Sequence, residues 1–368
     1  MIQGFLDDPV EAALETPAVV VDLERVDERI ARMAGLMRER GVALRPHVKT
    51  HKSLEFARHQ IDAGAVGLTV ATIGEAEVFA DAGFDDIFIA YPVIAAGPKA
   101  DRLRRLGELC RLSVGMDSVA GLESLAAAGG GASAPWRILI EIDSGGARTG
   151  VTPEAAGPLA RRAVDLGLAV GGAFTHEGHG YKGGAARAAA GDDAVAGLSA
   201  AADSLRAEGI EPIVLSAGSS PTAELSAHGV VTEERPGTYL FGDRLQATLL
   251  GEAPENVALM VLATVVSWGT GAGFVIDAGA KILAQDVSPL MPGHGTVVGY
   301  PEAVITRLND HHGVVELPTG SGRPPVGSTV WIVPNHVCPV VNLVDEYVVA
   351  SHGRVVDHWP VDARGRNA

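Results

Sequence analysis

Over the first two thirds of the chain, short apolar runs alternate with longer segments whose apolar residues recur at helical spacing. Val19-Val20-Val21 leads into Asp22–Arg40, where Leu23, Val26, Ile30, Met33 and Met37 share one helical face. Further runs of strand length are Ala43–Val48, Gly67–Ala71, Ile87–Ala90, Leu112–Met116, Ile138–Ile142, Ala169–Thr175 and Pro212–Ser216, with a last one near Arg235–Leu240. Between them lie segments rich in Ala, Leu and Glu: Ile73–Ala82, Val119–Ala127, Pro153–Leu166 and Ala194–Ala207. Counted from Ala43 this gives about eight strands, the number that closes a parallel barrel. Gly183–Gly191 and Ala126–Ala134 read as surface loops.

The pattern changes after Gly242. Val257–Val266, Gly273–Asp277, Val314–Leu317, Ser328–Val333 and Glu346–Ala350 are β-branched runs separated by Gly and Pro, with little helical spacing. The expected architecture is an α/β chain: a (β/α)8 TIM-type barrel over 18–242 and a β-rich domain over 243–368. Residues 1–17 form an N-terminal segment packing on the β-domain.

The charge balance narrows the partners. Formal net charge is −16, from 45 acidic and 29 basic side chains, which disfavours nucleic acid or an anionic membrane as the main partner. Two cysteines, Cys110 and Cys338, give no disulfide framework and fit a cytoplasmic location. Met1–Pro17 has four acidic residues and no lysine or arginine, so a secretory signal is not expected, and the apolar runs are too short to span a bilayer.

Within an acidic molecule, clustered cations at strand ends stand out. Arg45-Pro46-His47-Val48-Lys49-Thr50-His51-Lys52 follows an apolar run. A lysine partly desolvated beside other cations can serve as a neutral amine nucleophile, the species Schiff-base chemistry needs; a basic strand end that binds an anion is the plainer reading. Asp143–Gly150 is a glycine-rich turn with one arginine, Arg148, which could donate to a phenolate or tie down its own loop. Thr175–Tyr181 brings His176, His179 and Tyr181 past another strand, with glycines that permit close approach. Ser216–Thr222 has the small, hydroxyl-bearing composition of a phosphate cradle, and Arg235–Gly242 supplies a second glycine. In Pro334–Pro339, read as extended, His336 and Cys338 point to one face. They could bind zinc at an open site, or be a buried cysteine beside a hydrogen-bonded histidine.

Taken in order, these segments resemble the fold-type III pyridoxal 5'-phosphate (PLP) enzymes, in the D-serine dehydratase and D-threonine aldolase branch related to alanine racemase. The match rests on Thr16-Pro17 before Val19–Asp22, on Arg45–Lys52, Asp143–Gly150, Thr175–Tyr181 and Arg235–Gly242, and on Pro334–Leu343. The resemblance implies Lys49 as the lysine that carries PLP as a Schiff base, with Lys52 its rival. It implies Arg148 at the phenolic oxygen, Gly218, Ser219 and Gly237 at the phosphate, and Tyr239 at the phosphate or ring. Arg235 falls where racemases face the pyridine nitrogen; His176, Tyr181 and Thr238 complete the cofactor set. His336 and Cys338 match the dehydratases' metal pair, Zn2+ or another divalent ion, whereas the aldolases usually carry Asp in place of Cys338. The implied activity is elimination of water from a D-β-hydroxy amino acid by a homodimer, with Lys49, His179 and Tyr181 as catalytic candidates. Alternatives are metal-dependent D-threonine aldolase activity with His179 as base, an amino-acid racemase, and a non-catalytic PLP carrier.

Overall fold

The computed structural model describes residue 6 and residues 8–129 and 136–368. The expected N-terminal segment 1–17 and the Ala126–Ala134 loop therefore lie in part outside the described residues.

Strands alternate with helices from the start. β1 (Ala18–Asp22) is followed by β2 (Ala43–Leu44), β3 (Leu68–Val70), β4 (Asp86–Pro92), β5 (Arg111–Met116), β6 (Trp136–Glu141), β7 (Ala169–Phe174), β8 (Val214–Ala217) and β9 (Glu233–Glu234). β2 to β9 form one parallel sheet in the order β2-β9-β8-β7-β6-β5-β4-β3. Its two ends meet at a parallel bridge between His47 and Thr69, where the Thr69 N–H donates to Pro46 O at 2.9 Å. This is the eight-stranded parallel barrel that the apolar runs predict. Phe88, Leu139 and Phe174 fill part of its interior, the two phenyl rings edge to face at 5.0 Å. Gly172 lets β7 close on β8, since a Cβ there would lie 1.9 Å from Val214 O. The helices Ile73–Asp81 and Val119–Ala127 start on Thr72 and Ser118, whose hydroxyls accept the Glu75 and Gly121 N–H groups.

The remaining strands are β10 (Leu259–Ser267), β11 (Phe274–Ile276), β12 (Gly295–Val297), β13 (Val304–Leu308), β14 (Gly313–Glu316), β15 (Thr329–Pro334), β16 (Glu346–Ser351) and β17 (Arg354–Pro360). Together with β1 they make a nine-stranded sheet, in which β1 lies antiparallel to β10 and parallel to β16. Its core includes Val20, Met260, Leu262, Trp331, Val333 and Val348.

Several expectations need correction. The chain divides into two compact units, one of residues up to Ile30, Thr50–Glu55 and Thr238–Arg364, the other of Ala31–Lys49, Phe56–Gly237 and Gly365–Ala368. Val19–Val21, within the range expected for the barrel at 18–242, is buried on both faces, a pattern that fits either sheet, and it pairs with β10 and β16. The eighth barrel strand is β9, two glutamates, and not Arg235–Leu240, where Pro236 lacks the N–H a ladder needs. Gly183–Gly191 is mostly the start of the long helix Ala185–Ala207, built on alanine. β12, β13 and β17 escaped notice because they are short or, for β17 at the sheet edge, largely exposed and mixed in polarity.

Candidate active site

The barrel unit gathers most of the expected cofactor residues at the C-terminal ends of its strands. After β2, Val48–Thr50 makes a single helical turn, and the Lys49 N–H donates to His47 Nδ1 at 3.4 Å. Among the described residues, Lys49 Nζ has no acceptor. After β7, His176 Nδ1 lies 3.0 Å from Gly218 O. A carbonyl only accepts, so Nδ1 carries the proton. Burial, followed by the charge of Lys49 and then of Arg148 and Arg235, pulls the His176 imidazolium down to about 3, so the ring is neutral with its lone pair on Nε2. The Tyr181 ring is 6.3 Å away, centroid to centroid.

Gly218 is held on its other side as well, its N–H donating to Glu177 at 3.2 and 3.3 Å. Ser219 Oγ pairs with Thr222 Oγ1 at 2.6 Å, and the Gly237 N–H donates to Ser220 Oγ at 3.1 Å, which draws the expected phosphate residues Gly218, Ser219 and Gly237 together. Glu177 is fully buried, and burial pushes it up to about 7; Glu234, buried beside it, is also raised, by burial and by Glu177. Arg235 lies in the barrel interior, its guanidinium 5.7 and 5.2 Å from the Phe88 and Phe174 ring centres and donating to Ser216 Oγ and Thr175 O.

The turn after β6 is tied by Asp143, which accepts from the Gly145 and Ala147 N–H groups. Arg148 is exposed, with Nη2 4.0 Å from Glu141 Oε1. Glu141 is buried, accepts from Thr149 Oγ1 at 2.7 Å, and has no partner for Oε2 among the described residues; burial raises its pKa. A solvent-open cleft of about 330 Å³ runs between Glu141, Asp143, Arg148, Thr149, His176 and Gly178. His179 pairs with Asp193 through Nε2 at 3.1 Å, and its ring packs on Gly145, where a Cβ would come within 3.0 Å.

The unit that contains Thr238–Arg364 holds the expected metal pair. His336 and Cys338 do not lie on an extended segment: β15 ends at Pro334, His336 caps a short helix, and Cys338 sits inside that helix, Val337–Val341. Asp243 was not anticipated. It is fully buried; Oδ2 accepts from His336 Nδ1 and the Val337 N–H, both at 3.1 Å, and Oδ1 accepts from the Gln246 N–H at 2.7 Å. Its Asp-x-x-Gln spacing marks a helix start, which is the only sequence signal it gives. Burial would lower the His336 pKa, but the Cys338 thiolate and Asp243 outweigh it and lift it to about 11. Cys338 Sγ lies 3.3 Å from Thr50 Oγ1 and 4.0 Å from Thr238 Oγ1. Tyr239 is buried, its carbonyl accepting from Arg29 at 3.3 Å. Lys52 is buried, with Nζ donating to Asn342 Oδ1 at 2.9 Å. No group of three or more His, Cys, Asp or Glu able to hold a metal occurs among the described residues.

Comparison with known proteins matches this arrangement along nearly the whole chain. Residues 21–245 fit the family described as "Alanine racemase, N-terminal domain", and residues 258–350 fit the "Putative serine dehydratase domain". D-threo-3-hydroxyaspartate dehydratase of Delftia sp. (strain HT23) is 39% identical, covering 94% of this chain and 97% of its own. D-threonine aldolase of Arthrobacter sp. is 34% identical, with 97% and 94% covered. The solved Delftia dehydratase superposes with a TM-score of 0.87 at 36% identity, over 95% of this chain and 98% of that one. A cysteine-to-alanine mutant of a D-threo-3-hydroxyaspartate dehydratase, described as the metal-free form, superposes equally well, with the same TM-score of 0.87, identity of 36% and coverage of 95% and 98%. By fold, sequence and the order of its strand-end motifs, the chain belongs to the fold-type III PLP enzymes, in the branch that joins an alanine-racemase-type barrel to a serine dehydratase-type second domain.

Proposed function

We propose that this chain is a PLP- and zinc-dependent lyase that eliminates water from a D-β-hydroxy amino acid, the released enamine then taking up water to give a 2-oxo acid and ammonia. The barrel residues suit the cofactor. Ser219 is buried at the end of β8, and its N–H has no acceptor among the described residues, which leaves a donor for a phosphate oxygen. When bound, PLP supplies an electron sink for charge at Cα and the metal a Lewis acid for the departing hydroxyl.

In this reading Lys49 binds the cofactor covalently and its Nζ moves the Cα proton. Among the described residues its amine has no acceptor, whereas Lys52 Nζ is engaged by Asn342, which supports Lys49 over Lys52. Arg148 donates to the phenolic oxygen. Neutral His176 lines the cleft without adding a further positive charge to those of Lys49, Arg148 and Arg235. Gly218, Ser219 and Gly237 cradle the phosphate, and Tyr181, Thr238, Tyr239 and Arg235 complete the surroundings. His336 and Cys338 hold the metal, with Asp243 keeping the proton on His336 Nδ1 and so leaving Nε2 for the ion. The observation that carries the reading is this carboxylate–histidine–cysteine set, since the aldolases the chain resembles usually carry Asp where Cys338 stands. The close relationship to a 3-hydroxyaspartate dehydratase makes D-threo-3-hydroxyaspartate the first substrate to try.

Retro-aldol cleavage is the second reading, favoured by His179, a half-buried base oriented by Asp193. Product analysis separates the two. Ammonia with a 2-oxo acid from D-threo-3-hydroxyaspartate, D-serine or D-threonine, lost on chelation and restored by zinc, supports elimination; glycine with an aldehyde supports cleavage and defeats the first reading. Lys49→Ala should remove the visible absorption of bound PLP, and a surviving band would move the role to Lys52. A homodimer and a cytoplasmic location are part of the same proposal; none of the described helices is long and apolar enough to cross a membrane.

A further inference from the structure

Glu177 has no role in the chemistry above, yet it is a fully buried carboxylate at the end of β7, one residue past His176. Both of its oxygens receive the Gly218 N–H, while His176 Nδ1–H donates to Gly218 O at 3.0 Å. Two consecutive residues of β7's end therefore grip both polar groups of one glycine at the end of β8. The consequence follows from peptide geometry. In a trans peptide the carbonyl of one residue and the N–H of the next lie in one plane and point in opposite directions. Fixing Gly218 O therefore fixes where the Ser219 N–H points. Fixing the Gly218 N–H, together with the bond from the Arg235 N–H to Ala217 O at 3.0 Å, holds the preceding peptide plane. With both planes held, neither dihedral of Gly218 is free, although its φ of +141° is one that glycine alone adopts readily.

We propose that Glu177 is a positioning residue for the cofactor's phosphate: by pinning Gly218 opposite His176, it aims the Ser219 N–H, which has no acceptor among the described residues, at the anion. The proposal rests on the PLP reading given above. Glu177 is raised to about 7 by burial, and once it ionises Arg235 lies close enough to offset its charge, so this acid can stand behind an anion site.

The experiment compares the affinity of cofactor-free protein for PLP with that for pyridoxal, which has the aldehyde and ring but no phosphate. Glu177→Leu removes the acceptor. Glu177→Asp keeps the charge but withdraws the carboxylate by one methylene, and it serves if the leucine variant does not fold. Both should raise the Kd for PLP at least tenfold while the Kd for pyridoxal changes less than twofold, and the 31P resonance of bound PLP should shift. Glu177→Gln, whose amide oxygen can still accept the Gly218 N–H, should bind PLP within about threefold of wild type. Equal losses for PLP and pyridoxal would mark a merely structural role and overturn the proposal, as would unchanged PLP binding in both variants. Wild-type protein that binds neither compound would instead remove the cofactor reading beneath it.

Discussion

Replacing Asp243 by Asn tests whether this carboxylate sets the state of the proposed metal pair. Asp243 accepts three donors: the Gln246 N–H on Oδ1, and His336 Nδ1 and the Val337 N–H on Oδ2. Asparagine has one oxygen and one NH2 in nearly the same volume. If its oxygen stays on Gln246, where Asn caps a helix as well as Asp, the NH2 faces His336 and the Val337 N–H. His336 Nδ1 must then give up its proton to accept from that NH2, which leaves the ring's remaining proton on Nε2, the atom a metal would need, and the Val337 N–H is left without its acceptor. A buried N–H deprived of its acceptor costs about 1–3 kcal/mol, so the cofactor-free, metal-free variant should unfold earlier by that amount. Loss of a carboxylate that orients a metal-binding histidine typically weakens the metal by about 10–100-fold. Zinc affinity is measured by competition with a chromophoric chelator and stability by urea unfolding of the metal-free protein. Asp243→Ala separates the contributions further, because it also removes the helix cap, worth about 1 kcal/mol. Zinc affinity within twofold of wild type in Asp243→Asn would refute the reasoning even if stability fell as expected.

Two further outcomes follow from buried titrating groups. Glu177 is held protonated up to about pH 7 by burial, so between the ordinary carboxyl range and pH 7 the folded chain binds a proton the unfolded chain has lost, and this contribution to stability declines as pH rises. Relative to wild type, Glu177→Gln should therefore gain stability between pH 5 and pH 8, by up to about 3 kcal/mol at 1.36 kcal/mol per pKa unit; a gap that stays flat or narrows in urea titrations at the two pH values would contradict it. The two thiols should also differ: Cys110 is buried, donates to Leu106 O at 3.3 Å, and is pushed up to about 11 by burial and the nearby Asp86 and Asp85, whereas Cys338 is half-buried beside Thr50. A disulfide reagent should titrate one fast thiol in native, metal-free protein, slowed by zinc and absent in Cys338→Ser; two fast equivalents would be incompatible with this packing.

The parts of the fold that depend on one face of one segment were readable. Apolar runs bounded by Gly and Pro located most barrel strands to within a few residues. What failed depended on partners remote in sequence. Val19–Val21 is equally apolar toward either sheet, so nothing local assigns it to β10 and β16. β9 is a pair of buried glutamates, the reverse of the pattern used to find strands; it becomes legible only once Ser216 and Ser226 are known to donate to Glu233 and Glu234 at 2.7 Å. At the site, residue types and motif order pointed to Lys49, His176 and the Gly218 loop. Asp243 and Glu177 stayed hidden because each acts through one atom of another residue, 93 and 41 positions away.

The hidden residues share a physical feature, which is that they are expensive. Inside the barrel, Arg45 pairs with Glu233 at 2.7 Å and with Asp86 at 2.6 Å, and Arg235 lies among Glu177, Glu233, Glu234 and Glu141. Burying such groups costs several kcal/mol per ion before their attraction returns it, and apolar side chains of similar volume often give an equally stable core. Stability alone does not account for acids at the ends of β7 and β9. Direction does: a leucine at position 177 could fill the same space, but it could not accept the Gly218 N–H or balance Arg235. A barrel repacked with apolar residues at 177, 234 and 235 should therefore keep its fold and melting temperature and lose its preference for a phosphorylated ring. Low affinity for PLP in a well-folded repacked barrel would be the expected signature. Undiminished affinity would mean that the backbone at Gly218 is held by its strands alone and that the buried charges have another purpose.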